Sequence, residues 1–269
     1  MDQLIITLIQ MDIIYGNKEE NLIKAELLAN KAISNIDSPS PHVICFPELF
    51  STGYDLKNID IHAESIPKGE TTSFLQRFAS ENSVIMVTSY FEKDKNKYYN
   101  TGVVIDENGS FIGKYRKIHL FPLHPLDETK LLTSGNIYVP SFNLSCGNMG
   151  FLLCFDLRFP EISRRMTIEG NIDFLVYLAE FPNPRYEIWT TLLKARAIEN
   201  QIYVCGVNRT GRDPNISFFG HSVVYDPLGN PLIEGSDKEE ILTIKLDPEA
   251  LNSVRTVLNS LKHRQPHFY

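Results

Sequence analysis

The order of predicted secondary-structure elements occurs twice along the chain, and this repeat constrains the fold more than any other sequence feature. Apolar runs and amphipathic stretches in the first half predict a strand at 4–9, a helix at about 18–34, a strand at 43–46, a helix at about 71–80, a strand at 84–90 and a hairpin turning from Asp106 to Gly109. The second half predicts a strand at 150–154, a helix at about 160–169, a strand at 174–178, a helix at about 185–199, a strand at 202–207 and a hairpin turning from Asp226 to Gly229. In both halves the second helix ends in a Glu-Asn pair before an apolar strand.

The repeat predicts how the two halves pack. Apolar strands that alternate with helices are typical of sheets covered by helices. If helices cover one face of each sheet, the two uncovered faces would pack against each other. We therefore predict an α/β fold, a four-layer α-β-β-α sandwich with an internal pseudo-two-fold duplication. A single doubly wound sheet is the alternative.

Composition excludes several classes of protein. The chain has 269 residues, of which 43% are hydrophobic and 22% charged, as in ordinary globular proteins. A net charge of −7 argues against nucleic-acid binding. The sequence has no apolar stretch of membrane-spanning length, and its N-terminus lacks the features of a secretory signal. Four cysteines without a CxxC pair predict neither a disulfide scaffold nor a zinc site. We expect a cytoplasmic protein with no metal, no cofactor and no nucleic-acid or membrane partner.

Cys154 is the strongest candidate for a reactive residue. In LLCFDLRFPE an apolar strand breaks into a turn that contains charged residues, and a helix then begins at a proline. A thiol facing a helix N-terminus can have its pKa lowered enough to populate the thiolate. The alternative is a buried core cysteine, the common fate of free thiols, which fits Cys45 and Cys205 well.

Two further polar residues lie at predicted strand ends, where the sites of open α/β sheets are usually found. Glu48 follows the buried run VICFPELF, where partial desolvation would raise its pKa toward the range of a general base. Lys117 lies between Tyr115 and His119 on one side of a strand tip. For both residues, exposure to solvent is the alternative.

These three residues, with Glu48 in CFPELF, Lys117 in KYRKIHLF and Cys154 in LLCFDLRFPE, resemble the nitrilase superfamily of carbon–nitrogen hydrolases. The segments LLKARAIENQIYVCGVNRTG, GHSVVYDPLGN and KHRQPHFY are also similar to that family. The resemblance covers essentially the whole chain. It implies the same α-β-β-α sandwich and a single domain over residues 1–269.

The resemblance also implies roles for particular residues. Glu48 matches the general base, Lys117 the oxyanion-stabilising lysine and Cys154 the nucleophile. Glu128, in LDETKLLTSGN, matches a second glutamate that positions the lysine and the substrate nitrogen. The implied reaction is amide hydrolysis through a cysteine thioester, with the oxyanion held by Lys117 and the backbone N–H of Phe155. No metal or organic cofactor has a role in it.

The segment LAEFPNPRYEIW bears on the substrate, because it resembles a variant of ω-amidase-like bacterial enzymes that act on 2-oxoglutaramate-like acids. Arg185 would bind a substrate carboxylate through paired hydrogen bonds, and Tyr54 would form a pocket wall. Glu180 departs from that variant and would repel a dicarboxylate unless Arg158 or Arg185 neutralises it or its side chain faces elsewhere. A cationic or ureido substrate, as in carbamoylputrescine-type amidases, is therefore an alternative, as is a simple aliphatic amide.

Other functional classes fit the sequence less well. Nitrilases proper usually carry Cys-Trp-Glu where this chain has Cys154-Phe155-Asp156. A non-catalytic binding protein of this fold would have lost a catalytic residue, and an acyltransferase of the superfamily would carry membrane helices.

The C-terminal stretch predicts assembly. A cap at Asp247 begins a helix that continues to about Val257, and the aperiodic tail that follows ends in aromatic residues. In relatives such a tail crosses a dimer interface. We therefore expect a homodimer with residues 247–269 at the interface.

Overall fold

The predicted repeat is present as two six-stranded β-sheets in the computed structural model, which describes residues 1, 3–34, 36, 38–139 and 141–268. The elements of the first half are β1 (Leu4–Gln10), α1 (Lys18–Ser34), β2 (His42–Cys45), α2 (Ile59–His62), α3 (Glu70–Asn82), β3 (Ile85–Asp94), β4 (Lys97–Ile105) and β5 (Phe111–Arg116). Those of the second half are β6 (Phe142–Leu144), β7 (Gly147–Leu153), α4 (Pro160–Glu169), β8 (Phe174–Ala179), α5 (Tyr186–Asn200), β9 (Tyr203–Asn208), β10 (Thr210–Asp213), β11 (Ile216–Phe219), β12 (Val223–Tyr225), β13 (Pro231–Glu234), β14 (Glu240–Leu246) and α6 (Pro248–Val257).

Each sheet has a parallel centre and antiparallel edges. The first has the strand order β14-β1-β2-β3-β4-β5, in which β1, β2 and β3 are parallel. The second has the order β13-β12-β9-β8-β7-β6, in which β7, β8 and β9 are parallel. Parallel neighbours require crossover connections, and the helices predicted between these strands supply them.

The four predicted layers are confirmed by the packing. Side chains from the first sheet, such as Val87 and Val104, share one buried cluster with Phe151 and Leu153 of the second. The sheets approach closely at Gly102, where an added Cβ would lie 2.1 Å from the ring of Phe151. Helices α1 and α3 cover the outer face of the first sheet, and α4 and α5 cover that of the second. The alternative of one doubly wound sheet is wrong.

The duplication extends to local detail. Gly109 and Gly229 both close their hairpin turns at positive φ, and each donates its N–H to an aspartate carbonyl three residues earlier, at 2.9 Å. Helices α3 and α5 both end in the predicted Glu-Asn pair. Each is followed by a left-handed C-cap, Ser83 with φ 52° and Gln201 with φ 53°. The same turn and cap chemistry therefore builds both halves.

Three parts of the sheets were not predicted. Strand β14 pairs antiparallel with β1, so the end of the chain completes the sheet begun by its start. Strand β6 forms the far edge of the second sheet, and β10 and β11 form a separate two-stranded ribbon. Tyr269, the last residue of the predicted tail, lies outside the described residues. Across the described ranges no helix is long and apolar enough to cross a membrane.

Candidate active site

Cys154 lies at a sharp break between a strand and a helical turn. Strand β7 ends at Leu153, and Cys154 begins a 3₁₀ turn that continues to Arg158. The backbone of Cys154 has a φ of 39°, a strained left-handed conformation for a residue with a side chain. The buried Asp156 carboxylate stabilises the break by accepting the Leu153 N–H at 3.1 Å.

Asp156 also ties this turn to the end of β5. It accepts the Tyr115 hydroxyl at 2.9 Å, and its Oδ1 lies 2.7 Å from His119 Nδ1. Tyr115 and His119 therefore lie on the same side of this segment, as the sequence predicts. Lys117 lies between them, immediately after β5 ends at Arg116. The contacts of Asp156 therefore fix the position of Lys117 relative to Cys154.

Glu48 lies in the loop after β2 and is fully buried. Its Oε1 accepts hydrogen bonds from Lys117 Nζ and Asn100 Nδ2, both at 2.8 Å. Its Oε2 accepts the backbone N–H of Glu180 at 3.0 Å. Donors from both halves of the chain therefore orient this carboxylate.

Lys117 is fully buried between two carboxylates. Its Nζ lies 2.8 Å from Glu48 Oε1 and 2.7 Å from Glu128 Oε2, and donates to the Tyr54 hydroxyl at 3.2 Å. Burial alone would lower the pKa of Lys117, but Glu128 and Glu48 outweigh it, so the pKa is raised and the ammonium is retained.

Glu128 is also buried, and both of its oxygens are occupied. Oε1 accepts Asn100 Nδ2 at 3.1 Å and the Tyr54 hydroxyl at 3.3 Å. Oε2 accepts the Phe121 N–H at 2.7 Å, beside its contact with Lys117. Burial raises the pKa of Glu128, and Lys117 opposes this only in part. Asn100, which bridges both glutamates, was not predicted.

The state of the thiol differs from the expectation. Burial raises the pKa of Cys154 well above its usual range, Glu48 raises it further, and Lys117 opposes the rise only in part. The expectation that a helix N-terminus populates the thiolate is therefore wrong. A thiol with a raised pKa needs a base to remove its proton, and Glu48 is the neighbouring carboxylate that could do so.

A narrow pocket lies beside the thiol of Cys154. It is lined by Tyr54, Phe121, Leu126, Cys154, Phe155, Arg158, Glu180, Phe181, Pro182 and Arg185. The rings of Phe155 and Phe121 meet edge to face at 5.3 Å and form an apolar wall. Of the two arginines in the lining, Arg158 is exposed and Arg185 is half-buried, with its guanidinium 5.9 Å from the centre of the Phe121 ring. Arg185 caps α5, where the sequence predicted the first helical residue.

Glu180 is neutralised by a residue that the sequence did not predict. Its Oε2 accepts Arg209 Nη1 at 2.8 Å, and both side chains are fully buried. The partner is therefore neither Arg158 nor Arg185, the two arginines that the sequence offered for this role. Burial raises the pKa of Glu180, and Arg209 opposes this. This contact was not predicted, because it depends on the pairing of β8 with β9, which places Ala179 opposite Asn208.

Within the described part of the chain, no group of three or more histidine, cysteine, aspartate or glutamate side chains could hold a metal ion. The buried glutamates at the site already share an ammonium group, that of Lys117.

Fold and site together identify a protein family. The sequence model of the carbon-nitrogen hydrolase family matches residues 5–256. The chain therefore belongs to the carbon–nitrogen hydrolase family, and the resemblance described above is confirmed.

Particular relatives are similar over nearly the whole chain. A 2-oxoglutaramate amidase of Bacillus subtilis (strain 168) is 39% identical over 252 residues, which cover 93% of each chain. An omega-amidase of Mus musculus is 32% identical over 263 residues, covering 94% of this chain and 92% of its own. The crystal structure of a carbon-nitrogen hydrolase from Helicobacter pylori G27 has a TM-score of 0.91 at 27% identity, covering 99% of this chain and 97% of its own.

Proposed function

We propose that this protein is an ω-amidase, which hydrolyses the terminal amide of a short dicarboxylate monoamide such as 2-oxoglutaramate to the acid and ammonia. The distribution of groups along the pocket carries the proposal. Cys154 is buried in the pocket lining and lies close to Glu48 and Lys117, whereas Arg158 is exposed and Arg185 half-buried on the same lining. A linear substrate with an amide at one end and a carboxylate at the other matches this order. The names of the two relatives support the same substrate class.

The geometry supports a two-step acyl transfer, from the amide to the sulfur of Cys154 and from the sulfur to water. Glu48 removes the thiol proton of Cys154, and the sulfur attacks the amide carbonyl to form a tetrahedral oxyanion. The Lys117 ammonium and the Phe155 backbone N–H stabilise this charge. Glu48 then passes its proton to the nitrogen, the C–N bond breaks, and ammonia leaves a thioester on Cys154. Glu48 next takes a proton from water, whose oxygen attacks the thioester, and returns that proton to sulfur as the acid departs.

The ion pair between Glu180 and Arg209 favours a dicarboxylate monoamide over a cationic or carbamoyl substrate. A cationic or carbamoyl substrate was attractive because an unpaired glutamate in the pocket would repel a carboxylate. Arg209 supplies the compensating charge from behind the pocket. Arg158 and Arg185 thereby remain available to an incoming carboxylate. A non-catalytic binding role is disfavoured because Glu48, Lys117, Glu128 and Cys154 are all present and buried together.

Ammonia release from paired substrates tests the proposal. We expect succinamate and glutaramate to exceed propionamide in kcat/KM by about tenfold or more, because charge-assisted hydrogen bonds to a carboxylate contribute about 1.5–3 kcal/mol. Arg185→Gln should remove most of this advantage and leave propionamide unchanged. Arg212→Gln, at an exposed arginine outside the pocket lining, is the matched control. Equal turnover of succinamate and propionamide by the natural enzyme would exclude an ω-amidase and leave a general amidase.

We also propose a homodimer that uses the C-terminal segment 247–269. Large apolar side chains on this segment are uncovered in the single chain, with Val257 84%, Leu258 63% and Phe268 79% exposed. Val257 and Leu258 line a surface groove. Ile198 and Leu228, which are 46% and 61% exposed, line the same groove. Sedimentation should give a dimer at micromolar concentration, and Val257→Lys should weaken it. A monomer under these conditions would contradict the proposal.

Two broader features belong to the same proposal. We regard residues 1–269 as one domain, which is supported by the pairing of β14 with β1 across the length of the chain. We place the enzyme in the cytoplasm, a reducing compartment, because all four cysteines are buried free thiols.

A further inference from the structure

Glu180 lines the pocket and carries a carboxylate oxygen that the reaction scheme does not use. Its backbone N–H is bonded to Glu48, and its Oε2 is bonded to Arg209. Among the described residues its Oε1 has no hydrogen-bond partner, although the side chain is fully buried and lines the pocket beside Cys154. A buried acceptor without a partner costs about 1–3 kcal/mol, so a functional partner is the natural explanation.

Glu128 cannot supply this acceptor, although the resemblance assigned the substrate nitrogen to it. Its four protein contacts, two at each oxygen, come from Lys117, Asn100, Tyr54 and Phe121. A carboxylate oxygen offers two lone pairs, so both oxygens of Glu128 are saturated. Glu180, which lines the pocket, has a carboxylate oxygen, Oε1, without a hydrogen-bond partner among the described residues.

The two oxygens of Glu48 lie next to different groups, which indicates where the carbonyl oxygen and the nitrogen of the substrate amide lie. Its Oε1 faces Lys117, where the carbonyl oxygen becomes an oxyanion, and its Oε2 faces the backbone of Glu180. The amide nitrogen, which must receive its proton from Glu48, therefore lies on the Glu180 side. A primary amide presents two N–H groups there, and Glu48 can engage only one of them.

We propose that Glu180 is a substrate-binding residue whose Oε1 accepts the second N–H of the substrate's primary amide. The pocket thereby selects primary amides over esters and N-substituted amides of the same acid. Glu180 transfers no proton in this role. The inference deepens the proposed function, because it rests on amide hydrolysis at Cys154.

The surrounding structure holds this acceptor in place. Asn208 brackets the next residue, accepting the Phe181 N–H at 2.7 Å and donating to its carbonyl at 3.2 Å. Arg209 fixes Oε2 and is itself fixed by Asp213 Oδ1 at 3.0 Å. Arg209 is thus a positioning residue, which holds Oε2 and leaves Oε1 as the oxygen available to a substrate.

The variant Glu180→Gln tests the proposal with a matched substrate pair. A glutamine can still offer its oxygen to Arg209, but it then presents NH₂ to the pocket and replaces the acceptor with a donor. We expect kcat/KM for succinamate to fall about 10- to 100-fold, the effect of losing a hydrogen bond to a charged acceptor. Hydrolysis of monomethyl succinate, which has no N–H at the reacting centre, should change little. The ratio of the two rates is independent of the fraction of folded enzyme.

An equal loss of amide and ester hydrolysis in Glu180→Gln would overturn the proposal, because a purely structural role of Glu180 would lower both rates. If the variant does not fold, the natural enzyme provides the test: it should hydrolyse N-methylsuccinamate at least about tenfold more slowly than succinamate. Comparable rates would overturn the proposal. If dicarboxylate monoamides are not substrates, propionamide and methyl propionate form the equivalent pair, so this inference and the proposed function can fail separately.

Discussion

Replacing Arg209 with methionine tests the buried charge network behind the pocket. The fully buried guanidinium donates to four oxygens, namely Glu180 Oε2 at 2.8 Å, Asp213 Oδ1 at 3.0 Å and the carbonyls of Ile13 at 2.7 Å and Thr210 at 3.3 Å. Methionine fills most of the volume but leaves Glu180 and Asp213 without their cation. Breaking a buried ion pair on one side costs about 3–5 kcal/mol.

The loss should be easy to measure. In a chain of this size each kcal/mol lowers Tm by roughly 2–4 °C, so Arg209→Met should lower it by roughly 6–20 °C. Thermal unfolding followed by circular dichroism, with urea titration for the free energy of unfolding, provides the assay.

An exposed ion pair provides the matched control. Arg165 donates to Glu169 at 2.8 Å from a side chain that is 56% exposed, and such pairs contribute at most about 1 kcal/mol. Arg165→Met should therefore change Tm only slightly. The reasoning is refuted if Arg209→Met costs no more than Arg165→Met. The double variant Arg209→Met/Glu180→Gln should lose less than the sum of its single variants, because the two residues are in contact.

Three further outcomes are expected. Iodoacetamide should label Cys154 well before Cys45, which is fully buried in the core, and addition of substrate should slow that labelling; equal rates would count against a reactive nucleophile. Asn100→Leu should lower kcat/KM about 10- to 100-fold, since it removes a donor shared by both buried glutamates; an unchanged value would exclude a positioning role. Burial lowers the pKa of His42 to about 4 from about 6.5 in the unfolded chain, so stability present above pH 6.5 should fall by up to about 3 kcal/mol as pH drops toward 4. Urea titrations across this range should show a flatter pH dependence in His42→Gln; identical slopes would contradict the assignment to His42.

The convergence of the candidate catalytic residues could be predicted because each one lies just after a strand. Glu48 follows β2, Lys117 follows β5 and Cys154 follows β7, so packing two such sheets face to face brings their ends together. The repeat of elements predicted that packing, and the structure brings Glu128 into the same cluster through Lys117. Roles within the cluster remain proposals.

Other features depend on contacts that local sequence does not encode. Asn100 reaches the two glutamates from the middle of β4, where its neighbours read as an ordinary strand. Arg209 meets Glu180 only because both lie where β8 and β9 end side by side. The wrong prediction that the pKa of Cys154 is lowered has a similar cause. A helix N-terminus was visible in the sequence, whereas the depth of burial and the proximity of Glu48 were set by tertiary packing.

The central claim is that Cys154 carries the acyl group between amide and water. Mass spectrometry of enzyme quenched in acid during turnover of succinamate tests it most directly. We predict a succinyl adduct on the peptide that contains Cys154, with ammonia released in step, and neither adduct nor ammonia from Cys154→Ala. An adduct on another residue, or ammonia release by Cys154→Ala, would contradict the account.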